Sequence, residues 1–309
     1  MSNIIVTGGA GFLGHHLCRA LSQAGHQIRV IDLKTNPEFP TTIADVRDVS
    51  AMNEHLRDAD AVFHLAALIE AGESVSFPQK FVDSNISATV TILEAMRQNG
   101  IHKFLFSSSA AVYGDPIQTP IKEDDRTLPV NPYGMTKLAM EGLVSSYVKS
   151  HGFSGFGLRY FNLYGPEEQH EPETHAIPRF IKQLQRDQPI SVYGDGGHVR
   201  DFIYVEDVVA AHLQALRILE EQPNQYHYCN LSTGQGFTVK EIVDKLSQIM
   251  QKEPIIDWQS ERAGDPRVLL ADPTKGQQLL SWSAQMNIDE GLRKTVEYFQ
   301  QNGTGDHTF

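Results

Sequence analysis

Cysteine is almost missing from this chain: Cys18 and Cys229 are the only two in 309 residues, far apart and outside any C-x-x-C pairing. That excludes a disulfide framework and a thiolate metal cluster. Positive charge is also in short supply. Lysine and arginine number 26 against 38 aspartates and glutamates, a formal net charge of −12, which argues against nucleic-acid or anionic-membrane partners. No apolar run approaches the ~20 residues needed to span a bilayer. Met1-Ser2-Asn3 passes straight into Ile4-Ile5-Val6 with no basic stretch ahead of a long apolar one, so a cytoplasmic protein without a secretory leader is expected. Neither a repeat nor a low-complexity tract is visible. What is plentiful is core-forming material, 40% of the residues, enough for one large domain or two interleaved ones.

Short apolar runs recur along the first half, each ending in polar or glycine punctuation. Asn3–Val6 ends in Thr7-Gly8-Gly9-Ala10-Gly11-Phe12-Leu13-Gly14, and Leu13, Leu17, Ala20 and Leu21 then follow at helical spacing as far as Gly25. Ile28–Ile31 ends at Asp32, a weaker run near Thr41–Ala44 at Asp45-Val46, and Ala61–Leu65 at Ala66-Ala67. A helical stretch over Pro78–Gln98 precedes Lys103–Phe106, which ends in Ser107-Ser108-Ser109. Pro132 suits the first position of another helix, and Phe156–Tyr160 leads into Phe161-Asn162. Strands alternating with helices predict an α/β fold, a doubly wound parallel Rossmann sheet. Ligands in such sheets bind outside the carboxyl ends of the strands, where this punctuation falls. Further helices are predicted over Ile177–Gln185, Val205–Leu219, Val239–Met250 and Ile288–Gln300, with a strand at Ile190–Tyr193. The division expected is 1–162 plus 203–230 for the dinucleotide domain. A smaller, interleaved C-terminal α/β domain takes 163–202 plus 231–309.

Gly9-x-Gly11-x-x-Gly14 follows a strand and opens a helix, the context in which glycines let backbone approach a pyrophosphate at a helix N-terminus. Asp32 lies 18 positions beyond Gly14, at the end of the next strand. A carboxylate there accepts hydrogen bonds from ribose hydroxyls and repels a 2′-phosphate, so NAD is the expected cofactor. Tyr133 and Lys137, four residues apart, share one helix face. The spacing predicts an ammonium near a phenol whose pKa it lowers from ~10 toward that of a usable base.

Together these residues resemble the extended short-chain dehydrogenase/reductase superfamily. Within it the chain is similar to the NAD-dependent nucleotide-sugar epimerase/dehydratase family, especially UDP-glucose 4-epimerase-like proteins. The resemblance spans nearly the whole chain. It is carried by Thr7–Gly14, Asp45-Val46-Arg47-Asp48, His64-Leu65-Ala66-Ala67, Ser107–Asp115 and Tyr133-x-x-x-Lys137. Leu158-Arg159-Tyr160-Phe161-Asn162, Tyr193-Gly194-Asp195-Gly196 with Arg200-Asp201-Phe202, and Arg262-Ala263-Gly264-Asp265 complete it. It implies that Ser109, Tyr133 and Lys137 are catalytic. It implies cofactor contacts at Gly8, Gly11, Phe12, Leu13, Gly14, Asp32, Asp45, Val46, Leu65, Ala66, Ala67, Ser84, Ser107, Tyr133, Lys137, Tyr160 and Phe161. Substrate contacts implied are Ser109, Asn162, Tyr193, Arg200, Arg262 and Leu269, with Asn85 a buried packing or relay residue. Two arginines in an acidic chain suit a diphosphate clamp, because a guanidinium fork matches its oxygens. Surface pairing with Asp201 or Asp265 is the competing reading. A homodimer built on the helices around Ile86–Gln98 and Tyr133–Ser150 is implied as well.

Ala110 and Ala111 stand where related dehydratases and decarboxylases carry acidic residues, and neither moves a proton, so elimination chemistry is not expected. Reversible oxidation remains, giving NAD-dependent C4 epimerisation of a nucleotide sugar, a UDP-sugar first among them. A nucleotide-4-keto-sugar reductase and a non-catalytic dinucleotide sensor stay open as alternatives. Leu269 stands where some epimerases place a tyrosine that narrows the sugar pocket, so leucine would admit a 2-N-acetyl group. Ile69 replaces a lysine that some members hold near the cofactor. Glu167-Glu168 replaces the arginine that often follows Tyr-Gly-Pro. His170-Glu171-Pro172-Glu173-Thr174-His175 reads as a solvated loop rather than a metal site.

Overall fold

The computed structural model describes residues 1–169, 173, 175–261 and 266–302. Its strands are β1 (Asn3–Thr7), β2 (Gln27–Asp32), β3 (Thr41–Ile43), β4 (Ala61–His64), β5 (Lys103–Ser109), β6 (Ser154–Tyr160), β7 (Asn162–Tyr164), β8 (Ile190–Tyr193), β9 (Val199–Tyr204), β10 (Tyr226–Leu231), β11 (Gly236–Thr238), β12 (Ile256–Gln259) and β13 (Val268–Leu269). Helices are α1 (Phe12–Gln23), α2 (Val49–His55), α3 (Ala71–Ser76), α4 (Pro78–Phe81), α5 (Ala88–Asn99), α6 (Pro132–His151), α7 (Ala176–Gln185), α8 (Val205–Glu221), α9 (Val239–Met250), α10 (Thr274–Leu280) and α11 (Ile288–Gln301). None among the described residues is long and apolar enough to cross a membrane.

Seven parallel strands form the main sheet in the order β10-β6-β5-β4-β1-β2-β3. The order reverses between β1 and β4, the switch point at which such folds bind ligands. Strands buried on both faces read as continuous apolar runs, which is why β1 and β4 were legible. One face packs Leu17 and Leu21 of α1 with Val208 and Ala215 of α8. On the other, Ile92 and Met96 of α5 and Met140 and Val144 of α6 meet Phe104 and Phe106. Beyond the carboxyl ends of the strands stand two smaller sheets: β11-β9-β13, with β7 also paired to β9, and β12-β8. In this smaller region Asn162 lies opposite Phe202, and Leu269 opposite Arg200.

Candidate functional site

At the carboxyl end of β1 the chain turns at Gly8 with φ +73°, a left-handed conformation that favours glycine. A Cβ there would stand 2.5 Å from the Ala66 nitrogen, so the turn presses directly on the segment after β4. Gly14 is as constrained: a Cβ would stand 2.2 Å from the Gly8 oxygen. Gly11 caps α1 without help from any side chain, and Phe12 and Leu13 form its first turn. The bare helix start and the absence of side chains at the turn are the features that accommodate a diphosphate. Asp32, ending β2, accepts from the Ala10 N–H at 3.0 Å and the Lys34 N–H at 3.2 Å. The turn is further braced by Asn36, which sequence reasoning missed. Its buried amide donates to the Gly9 carbonyl at 2.8 Å while its oxygen accepts from the Glu38 and Phe39 N–H groups.

Others of the expected cofactor residues lie on the segments after β3 and β4 and in the turn before α5. Asp45 is gripped by Arg47 through two Nε contacts of 3.0 and 3.1 Å and one Nη2 contact of 2.5 Å, which holds its carboxyl below the usual range. Val46 packs on the α5–α6 side of the core. The Leu65 and Ala66 N–H groups both donate to the Thr7 carbonyl, fixing the Leu65-Ala66-Ala67 segment beside the glycine turn. Ser84 lies half-buried in a π-helical turn, Val82–Ser87, between α4 and α5. In the same turn Asn85 grips both the N–H and the carbonyl of Leu68, at 2.9 and 3.0 Å, and donates to Thr136 Oγ1 at 2.9 Å. It thereby links the segment after β4 to the first turns of α6.

Helix α6 begins as its sequence dictates, with Pro132 at the first position and the Asn131 side chain accepting from the Gly134 N–H at 2.9 Å. The otherwise orphaned Tyr133 N–H donates to Ser74 Oγ at 3.1 Å. Tyr133 lies near enough to Ser109 for that hydroxyl to act on the phenol, and Ser109 accepts from the Ala111 N–H at 3.1 Å, capping the short 3-10 turn Ala110–Val112. Lys137, buried, donates to the Ser107 carbonyl at 2.8 Å and to Ser107 Oγ at 3.0 Å. Ser107 therefore serves the lysine in this structure.

The electrostatics correct the sequence-based expectation for the pair. The Lys137 ammonium is 6.0 Å from the centre of the Tyr133 ring and is turned to Ser107. Burial pushes the phenol up to about 12; the Ser109 hydroxyl opposes this and the charge of Glu70 adds to it. Burial likewise brings Lys137 down to about 7. Desolvation is the leading cause of both shifts, although Lys137 is buried and Tyr133 only half-buried. A neighbouring His64, fully buried and lowered to about 3 by burial and by Lys137, meets Thr7 Oγ1 at 2.7 Å and Thr89 Oγ1 at 3.3 Å.

Tyr160 commits its hydroxyl to His212 Nε2 of α8 at 2.7 Å, and Phe161 is buried against Tyr113. Apart from Ser109, the expected substrate residues that are described lie on the smaller sheets. Tyr193 ends β8, Arg200 lies on β9 and donates to the Val199 carbonyl at 2.8 Å, and Asn162 opens β7. Asp201, the proposed ion-pair alternative for Arg200, instead accepts from the Thr233 and Gly234 N–H groups at 2.9 Å each. Arg262 lies outside the described residues, as do His170, Glu171, Pro172 and Thr174 of the histidine loop. Among the described residues no His/Cys/Asp/Glu group could hold a metal ion.

Known proteins match this arrangement over most of its length. The model of the NAD dependent epimerase/dehydratase family matches residues 4–229. A UDP-glucose 4-epimerase of Rhizobium meliloti is 38% identical, over 93% of this chain and 94% of its own. The crystal structure of UDP-glucose 4-epimerase from Brucella ovis in complex with NAD superposes with a TM-score of 0.92 at 33% identity, covering 97% of this chain and 98% of that one. A UDP-N-acetylglucosamine 4-epimerase from Methanobrevibacter ruminantium M1, solved with UDP-N-acetylmuramic acid, gives a TM-score of 0.91 at 31% identity, covering 98% and 99%.

Proposed function

Because the chain belongs to the NAD dependent epimerase/dehydratase family, we propose that it inverts C4 of a nucleotide-diphosphate sugar through a transient 4-keto sugar. UDP-glucose and UDP-galactose are the first candidate substrates. The observation that carries this reading is the pairing of Tyr133 with Ser109 and of Lys137 with Ser107, at the strand ends beside the bare Gly8–Gly14 turn. The turn, Asp32 and the Leu65–Ala67 segment hold NAD. Bound in its oxidised form, NAD supplies a hydride acceptor and a positive charge, and in its reduced form a donor, so no second redox substrate is consumed.

The residues divide the remaining work. Ser109 hydrogen-bonds the sugar 4-hydroxyl, and Tyr133 accepts its proton as the carbonyl forms. Lys137 steadies the phenolate form from which Tyr133 accepts that proton. Asn162, Tyr193, Arg200 and Arg262 anchor the nucleotide diphosphate, leaving the sugar free to turn and present its other face. Tyr133 then returns the proton to the oxygen at C4. Remote anchoring of this kind uses non-reacting contacts to support chemistry elsewhere. Ala110 and Ala111 offer no proton carrier for elimination.

Leu269, opposite Arg200 on β13, leaves space for a 2-N-acetyl group, so UDP-N-acetylglucosamine belongs among the substrates. A homodimer joined through α5 and α6 is part of the same reading. Met135, Gly142 and Ser146 form an exposed stripe at helical spacing on α6.

The test is C4 inversion of UDP-galactose by the purified protein, with absorbance followed at 340 nm. Inversion with no net absorbance change supports epimerisation. Stoichiometric production or consumption of reduced cofactor would establish the reductase instead, and Tyr133→Phe is expected to remove turnover while NAD stays bound.

A further inference from the structure

The face of α6 that carries Tyr133 and Lys137 continues one turn further, to Glu141. This residue is buried at 6% exposure. Its carboxylate accepts from Ser108 Oγ at 2.5 Å and from Arg159 twice, Nε at 2.8 Å and Nη2 at 2.7 Å. Arg159, 4% exposed, stands on β6 directly opposite Ser108 of β5. Its remaining Nη1 donates to the Tyr113 hydroxyl at 2.8 Å and the Glu123 carbonyl at 3.0 Å. Tyr113 in turn donates to Asn230 of β10 at 2.6 Å. Its guanidinium lies 5.0 and 4.6 Å from the ring centres of Tyr113 and Tyr228.

Three consecutive serines thus meet three helical residues four apart. Ser109 takes Tyr133, Ser107 takes Lys137 and Ser108 takes Glu141. The first two contacts lie at the strand's end. The third lies beneath them, on the face where Phe104 and Phe106 pack against Met140 and Val144, because strand side chains alternate with a period of two. An apolar contact resists separation but permits sliding and rotation, whereas a bidentate guanidinium–carboxylate pair fixes both. Buried ion pairs can often be exchanged for apolar residues without loss of stability. Stability alone therefore gives little reason for this one.

We propose that Glu141 and Arg159 are positioning residues that set the rotation and height of α6 against β5, holding Tyr133 at Ser109 and Lys137 at Ser107. The inference rests on the reading that Tyr133 and Lys137 carry the proton chemistry. The pair touches neither substrate nor cofactor. Its influence passes through the helix, where a displacement of about 1 Å costs on the order of 100-fold in rate.

The experiment uses the NAD-loaded protein and two variants, Glu141→Met/Arg159→Met, which removes both charges at similar length, and Glu141→Asp, which keeps the charge but shortens the reach. For the double variant, kcat for UDP-galactose is expected to fall at least about 30-fold, with KM within about twofold and the melting temperature retained. For Glu141→Asp a loss of about 10-fold at unchanged KM is expected. Should the double variant fail to fold, Glu141→Asp decides alone. A folded variant with kcat within about threefold of wild type overturns the proposal, as does a loss of activity that only tracks the fraction folded. If the wild-type protein does not invert C4, that reaction is the reading that falls. The positioning role is then judged by ultraviolet titration of Tyr133, with Tyr133→Phe as the blank. A shifted phenol in Glu141→Asp upholds it, and an unmoved one removes it.

Discussion

Tyr133 and Lys137 are both shifted toward their neutral forms by the same cause. Enclosure favours the neutral phenol, about 12, and the neutral amine, about 7. The cofactor-free site therefore holds a neutral phenol beside an amine that is about half protonated near pH 7, and the further shift toward phenolate that catalysis needs must come from what binds beside them. Linkage makes the lysine half of this measurable. An unfolded lysine titrates near ~10.4, so between that value and about 7 the unfolded chain binds more protons than the folded one. The stability Lys137 contributes is then fully present above the unfolded value and is lost as pH falls to about 7. Relative to Lys137→Met, cofactor-free wild type should gain melting temperature as pH rises from about 7 to about 10. Parallel curves for the two proteins would show an ordinary lysine. The tyrosine–lysine spacing was legible in the sequence, but its electrostatic outcome was not, because four residues of separation do not reveal how deeply two groups are buried.

At the scale of the element, α6 is placed by close approach as well as by hydrogen bonds. A Cβ on Gly134 would stand 2.5 Å from the Ala111 oxygen, so the helix lies directly on the turn that follows Ser109. Gly134→Ala should push the two apart and lower kcat by on the order of 100-fold, with the circular dichroism spectrum and NAD content unchanged. Activity within about threefold would mean that the 3-10 turn gives way freely. The start of this helix was readable from Pro132. Glu141 was not singled out, although it lies eight residues beyond Tyr133 on the same face, because its partners come from β5 and β6. Strands β11 and β13 have only three and two residues, too few for any alternation to register.

Across the whole molecule, the doubly wound sheet was plain from alternating strands and helices, since buried parallel strands leave unbroken apolar runs. The edge strand β10 was not, because Tyr226-His227-Tyr228-Cys229-Asn230 shows no apolar alternation and is defined by pairing with β6. Of the site, the glycine turn and the Tyr–Lys pair could be argued from chemistry. Asn162 and Leu269 came from resemblance alone, and Arg200 from resemblance backed by the fit of a guanidinium to a diphosphate, since chain folding and not spacing places them. Assembly is testable at this scale. Met135 is 50% exposed on α6, and Met135→Glu should convert a dimer in analytical ultracentrifugation to monomers. An unaltered dimer would place the interface elsewhere, and a monomeric wild type would remove it.

Leu269 and Arg200 sit side by side on paired strands, so in the proposed reading pocket breadth and phosphate grip would hang from one ladder of backbone. Making room for a bulkier hexose by spreading β13 from β9 would slacken the hold on the substrate's tail. In that reading, appetite for different sugars would be tuned by swapping the side chain at 269 while the rung itself stays put.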